Sequence, residues 1–185
     1  MGEAKRNLEE VRAQMMRVAE GWMLEPTDWE ARMVEEVRQL PRRKVKRLPP
    51  DMLAYMRMQP GDCHANTYFM EREDPENLHK RVIGWMIADG QLVLHSVVER
   101  LGEMVCVTPG PRGAEDSFLF IPDSAILCEE IEGRFVHSRG GERIKFGLRV
   151  NPATTIAFSN LLLERLRSGM NPYKAMEVAP PHIPF

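Results

Sequence analysis

The sequence predicts an α+β fold: an antiparallel β-sheet with a cysteine-bearing helix packed on it, preceded by an N-terminal helical pair. Three observations carry this. Apolar residues in the first third recur at helical steps, the middle alternates at strand steps, and a capped helical stretch follows near the end. At 185 residues, with 43% hydrophobic and 28% charged residues, the chain has the composition of an ordinary globular protein with a proper core.

The first helix is read from Leu8, Val11, Met15, Val18 and Trp22, which share one face. A second begins at Thr27, where "TDWE" forms a capping box: the Thr27 hydroxyl and the Glu30 carboxylate satisfy orphan amides reciprocally. Its stripe is Trp29, Met33, Val37 and Leu40, a spacing that serves packing far more often than cofactor contact. These helices are expected to form an antiparallel pair, laid on the main domain or used for self-association. "PRRKVKRLPP" follows. Five of the seven residues from Pro41 to Arg47 are basic and prolines bracket them, so the segment reads as a solvated linker. The domain division is accordingly 1–47 and 48–185.

A short helix, "PPDMLAYMRM", leads to "GDCHANTYF", where Asp62 is a good N-cap and Cys63 takes the first helical position. Beyond "EDPEN" the period changes. "RVIGWMIA", Asp89-Gly90 and "QLVLHSVVE" spell a β-hairpin with a type I′ signal. "EMVCVTP" and "SFLFIPD" are further strands. "RIKFGLRV" puts Ile144, Phe146, Leu148 and Val150 on one face and is expected to pair with "GRFVHS" through Gly140-Gly141. The last helix starts at Asn151 and Pro152 and ends before Gly169, with "APPHIPF" as an extended arm.

Several function classes are disfavoured by the totals. A net charge of −2 argues against a general nucleic-acid binder, and the basic segment lacks interleaved aromatics for stacking. No apolar run reaches the length of a membrane span. The charged N-terminus predicts no secretory signal, and three cysteines, at 63, 106 and 128, fit a reducing cytoplasm. There is no C-x-x-C pair, no Walker-type loop and no dinucleotide fingerprint, so no cofactor is implied. A metal site from Cys63, His64 and His95 lacks a fourth ligand, and neighbours on a helix diverge.

Hairpin geometry supplies the candidate site. With Asp89-Gly90 as the turn, Gly84 falls opposite His95, and Val82, Gly84, Met86, Val93, His95 and Val97 share a face. That face is apolar except for one imidazole, with cleared space beside it for a helix terminus. The alternatives are backbone crowding at Gly84 and a core histidine at 95, the commoner outcome for a lone His on such a face. A thiol at a helix start feels the positive end of the macrodipole, although Asp62 opposes thiolate formation. Asn66, one turn on, shares the Cys63 face and is placed to hold a carbonyl or a neighbouring strand's backbone.

The motifs "CHAN", "GW", "HSVV", "VTP" and "FIPD" occur in this order in a group of uncharacterised bacterial and phage-associated proteins, which this chain resembles over about a third of its length, roughly residues 61 to 123. More broadly it is similar to the transglutaminase-like branch of the papain-like cysteine hydrolases. The resemblance implies Cys63 as nucleophile, His95 as base and an orienting Asp two residues before Thr108. The sequence departs there, with Cys106. Asp123 in "FIPD" is the candidate replacement; Glu99 lies about 13 Å along the strand from His95 and is weaker. Gly84, Trp85 and Cys106 are candidate binding positions. Two functions follow. One is a thiol-dependent hydrolase or acyltransferase acting on a peptide or small-molecule amide or ester. The other is a non-catalytic binding or accessory protein on the same fold, with the N-terminal helices meeting a protein partner or a second copy.

Overall fold

A computed structural model of the protein describes residues 3–88, 90–111, 114–145 and 147–177. The chain is α+β and forms two compact units. One comprises Met1–Arg32, Asp89–Gln91 and Arg149–Phe185; the other comprises Met33–Ala88 and Leu92–Leu148.

In the first unit, helix α1 (Glu3–Gly21) packs against α5 (Pro152–Arg167) and α6 (Pro172–Ala175). Ala19, Leu162, Leu163, Leu166 and Ala175 form the buried centre, with Met15, Met16, Met23 and Phe158 around it. The buried stripe of α1 is thus turned from the expected one: Ala19 is inside and Val18 is half exposed. The partner of α1 is α5, a helix distant in sequence that local periodicity cannot select. Asn151 caps α5 as read, its side chain accepting from the Thr154 amide at 3.1 Å. Gly169 ends it with φ +86°. The start of α2 (Asp28–Arg38) is capped by Thr27, whose Oγ1 accepts from the Glu30 amide at 3.1 Å. The Glu30 carboxylate is directed elsewhere than the capping box requires. Buried, it takes the Arg149 amide, Nε and Nη2 at 2.8, 2.9 and 2.7 Å.

The second unit is built on strands β1 (Arg43–Arg47), β2 (His79–Ala88), β3 (Gln91–Arg100), β4 (Glu103–Cys106), β5 (Ser117–Pro122) and β9 (Gly147–Arg149). Their order is β2-β5-β1-β4-β3-β9, and β2 also pairs with β3, so the first five close into a ring. All five contribute to one inner cluster: Val82, Val97, Val45, Cys106 with Met104, and Phe120 with Phe118. Val98 and Val105, one residue away from inward positions, face outward. They meet Leu53 of α3 (Pro50–Tyr55) and Met70 of α4 (Cys63–Arg72).

The structure departs from the sequence pattern in two segments. The basic segment is a central strand, hydrogen-bonded to β5 on one edge and to β4, in parallel, on the other; the sheet is therefore mixed. Val45 points into the ring with no exposure, while Arg43, Lys44 and Lys46 stay in solvent. Arg47 lies within the second unit. The other segment is "RIKFGLRV". Its start forms β8 (Glu142–Arg143) against β7 (Arg134–Arg139), and its end forms β9 in the larger sheet. Ile144 and Leu148 are buried as expected; Phe146, Asp89 and the "APPHIPF" arm lie outside the described residues. A strand not anticipated, β6 (Leu127–Ile131), completes a three-stranded sheet in the order β6-β7-β8.

Candidate functional site

Cys63 opens α4, as the Asp62 signal predicts, although the Asp62 side chain makes no capping bond. Cys63 is 8% exposed, and its thiol is approached by the backbone amides of Ser96, His64 and Cys63 itself. Burial outweighs them and pushes it up to about 11. Asn66, also buried, is fully engaged: Oδ1 accepts from the Gln59 amide at 3.0 Å, and Nδ2 donates to Gln59 O at 2.9 Å and Thr108 Oγ1 at 3.2 Å. It clamps the turn before α4 and the end of "VTP" onto the helix.

His95 shares the parity of Val97 and turns into the ring, edge-on to Phe118 and Phe120 at 5.4 and 6.4 Å. Its Nε2 lies 3.4 Å from Cys106 Sγ. Burial, and secondarily the Arg47 cation, hold it down at about 4, so the ring is neutral near neutral pH. Among the described residues no hydrogen bond joins Cys63 to His95. Cys106 is fully buried, its thiol raised by burial, and receives Arg47 Nη1 at 3.3 Å. The same nitrogen donates to Thr108 O at 2.5 Å. Arg47 is thus the organising residue of this cluster. Its segment has the prolines and charge of a linker; the alternation Arg43-Val45-Arg47 around an apolar centre is the signal of a strand.

Asp123 belongs to a different network. It is 4% exposed, and its Oδ2 accepts from Trp85 Nε1 at 2.8 Å and Arg139 Nε at 2.7 Å, while Oδ1 takes the Ala125 amide at 3.1 Å. Trp85 and Asp123 are therefore brought together, and among the described residues no hydrogen bond joins Asp123 to His95. At Gly84 the open space is absent: a Cβ would sit 2.1 Å from the Ile121 carbonyl oxygen and 2.8 Å from the Phe120 ring. The glycine permits β2 and β5 to approach, which is the crowding alternative.

A second histidine cluster was invisible in sequence. His64 Nδ1 lies 2.7 Å from Ser96 Oγ, and its ring lies 4.0 Å from that of His137 on β7. Burial, then His137, His95 and Arg81, hold His64 down at about 3. Among the described residues no group of three or more His, Cys, Asp or Glu side chains is arranged to hold a metal, and no helix is long and apolar enough to cross a membrane. Comparison with protein-family models, curated proteins and solved structures finds no match to this chain.

Proposed function

We propose that this chain is a non-catalytic binding or accessory protein that keeps the framework of a thiol-hydrolase site without its working chemistry. One observation carries the reading: Cys63 is buried and, among the described residues, hydrogen-bonds to no base, and that burial pushes its thiol up to about 11, so it is protonated near neutral pH. A cysteine nucleophile needs thiolate, and a base to make it. His95 is engaged with Cys106 instead, at the position where the resemblance expects a carboxylate. A thiol gives an imidazolium no counter-charge.

A second reading, a thiol-dependent hydrolase or acyltransferase with Cys63 as nucleophile and His95 as base, is favoured by one feature. The amides of Ser96, Cys63 and His64 all act to stabilise the Cys63 anion. Alkylation of each cysteine, followed by mass spectrometry across pH, separates the two. In the first reading Cys63 reacts slowly near neutral pH and His95→Ala changes nothing. Cys106→Asp, which restores a carboxylate beside His95, speeds it. Rapid alkylation of wild-type Cys63 that slows in His95→Ala overturns the non-catalytic reading and leaves the enzyme.

A further inference from the structure

Strand β6 ends its sheet, and its outer edge carries an unusual combination. Its register with β7 pairs Leu127 with Ser138, Cys128 with His137, Glu129 with Val136, Glu130 with Phe135 and Ile131 with Arg134. The Ile144 amide donates to the His137 carbonyl at 2.9 Å, so His137 directs its backbone toward β8. Hydrogen-bonded and non-bonded pairs alternate along an antiparallel ladder. Cys128, opposite His137, therefore turns its N–H and C=O away from β7, and Glu130 does the same. Among the described residues this edge has no strand partner, and it offers two donors and two acceptors in strand geometry.

Side chains on the same strand are matched to that edge. Leu127 and Ile131 are 64% and 49% exposed, and Glu129 lies between them on the same face. Solvent-exposed aliphatics four residues apart on an open edge are a liability in an isolated protein. The carboxylate at the centre decides what can cover them. A second copy paired antiparallel about Glu129 sets Glu129 against itself, and pairing about Glu130 does the same there; like charges directly opposite are destabilising. A strand with a basic residue opposite Glu129 and apolar residues two positions to either side satisfies the Glu129 carboxylate, both aliphatics and the outward backbone groups of Cys128 and Glu130.

We propose that the β6 edge binds an extended peptide segment of another protein, of the pattern apolar-x-basic-x-apolar, by adding it as an antiparallel strand. The residues x exchange backbone hydrogen bonds with Cys128 and Glu130, and the basic side chain meets Glu129. This names a surface and partner class for the binding role proposed above and rests on that reading. The two fail separately, because alkylation at Cys63 and strand addition at β6 share no residue.

The test is fluorescence anisotropy of the whole protein with a fluorescein-labelled peptide of core Val-Thr-Lys-Thr-Val. Replacing Lys by Glu in the peptide is expected to weaken binding about fivefold to tenfold. N-methylation of both Thr amides abolishes it, and in Glu129→Lys the Glu peptide becomes the tighter binder. Leu127→Ser weakens both peptides alike. These peptide controls leave the protein unaltered, so a variant that failed to fold would not shield the proposal. No binding of the Lys peptide, equal binding of the Lys and Glu peptides, or indifference to N-methylation overturns it. So does a wild-type dimer in sedimentation that the Lys peptide fails to dissociate, since a second copy would then own the edge.

Discussion

Around Cys106, burial strips charge from the thiols and the imidazole; around Asp123, a carboxylate is held between an indole and a guanidinium. Both clusters lie in the same unit and both are nearly dry. His95 is driven down to about 4, Cys63 up to about 11, and Cys106 upward by burial, so among the described residues Arg47 brings the permanent charge to the first cluster. In the second, Asp123 meets Trp85, Arg139 and the Ala125 amide at 2.7 to 3.1 Å. Thiol and imidazole are neutral in their ordinary buried forms and can be packed away without partners. A carboxylate cannot, and the donors it needs tie β2, β5 and β7 together. Asp123 is thereby used as a structural tie, and His95 is left with the Cys106 thiol.

The contrast is broken most forcefully at Asp123. Asp123→Ala leaves the buried Arg139 with one ion-pair partner fewer and Trp85 Nε1 without its acceptor. A loss of about 3–5 kcal/mol is expected in urea unfolding, with native-state alkylation of Cys63 unchanged. A loss under about 1 kcal/mol would mean that the network is ornamental. The thiol–imidazole side has a pH signature instead. His95 titrates near 4 in the folded protein, below its ordinary value of about 6.5 in the unfolded chain. The unfolded state therefore takes up the proton first, and stability is lost as pH falls from about 6.5 toward 4. The contribution from His95 is on the order of 3 kcal/mol. His64 acts in the same direction. Urea unfolding at stepped pH should show a shallower slope in His95→Gln; an unaltered slope would mean that burial does not hold this ring neutral.

Local signals were legible. Asn151-Pro152 fixes the start of α5, Asp62-Cys63 the start of α4, and the hairpin of β2 and β3 follows from two alternating runs around a turn. What failed was non-local. In β1 the bulk of the side chains are cationic and solvent-exposed, and only Val45 is fully buried, so composition looked like a linker while backbone pairing made a central strand. In β6 the exposed edge needs no apolar alternation, and "LCEEI" gave none that stood out. The candidate site divides along the same line. Cys63 at a helix start and His95 facing an apolar interior could be read from spacing. Whether the thiol ionises, and which group the imidazole meets, depends on burial by strands far away in sequence.

Arg139 offers the finest comparison, because it holds two carboxylates at nearly the same distance in different solvent. Its Nη1 reaches Glu36 Oε2 at 2.6 Å and its Nε reaches Asp123 Oδ2 at 2.7 Å, yet the Glu36 side chain is 56% exposed and that of Asp123 is 2% exposed. Distance alone would make the two pairs equal. Water makes them unequal, since an exposed pair exchanges one good solvation for another and pays the entropy of two long side chains. Glu36→Gln is therefore expected to cost only about 0.5 kcal/mol, several times less than the change at Asp123. A double-mutant cycle with Arg139→Gln, read by urea unfolding, checks the coupling. Equal coupling energies for Glu36 and Asp123 would assign the strength of this network to geometry rather than to burial.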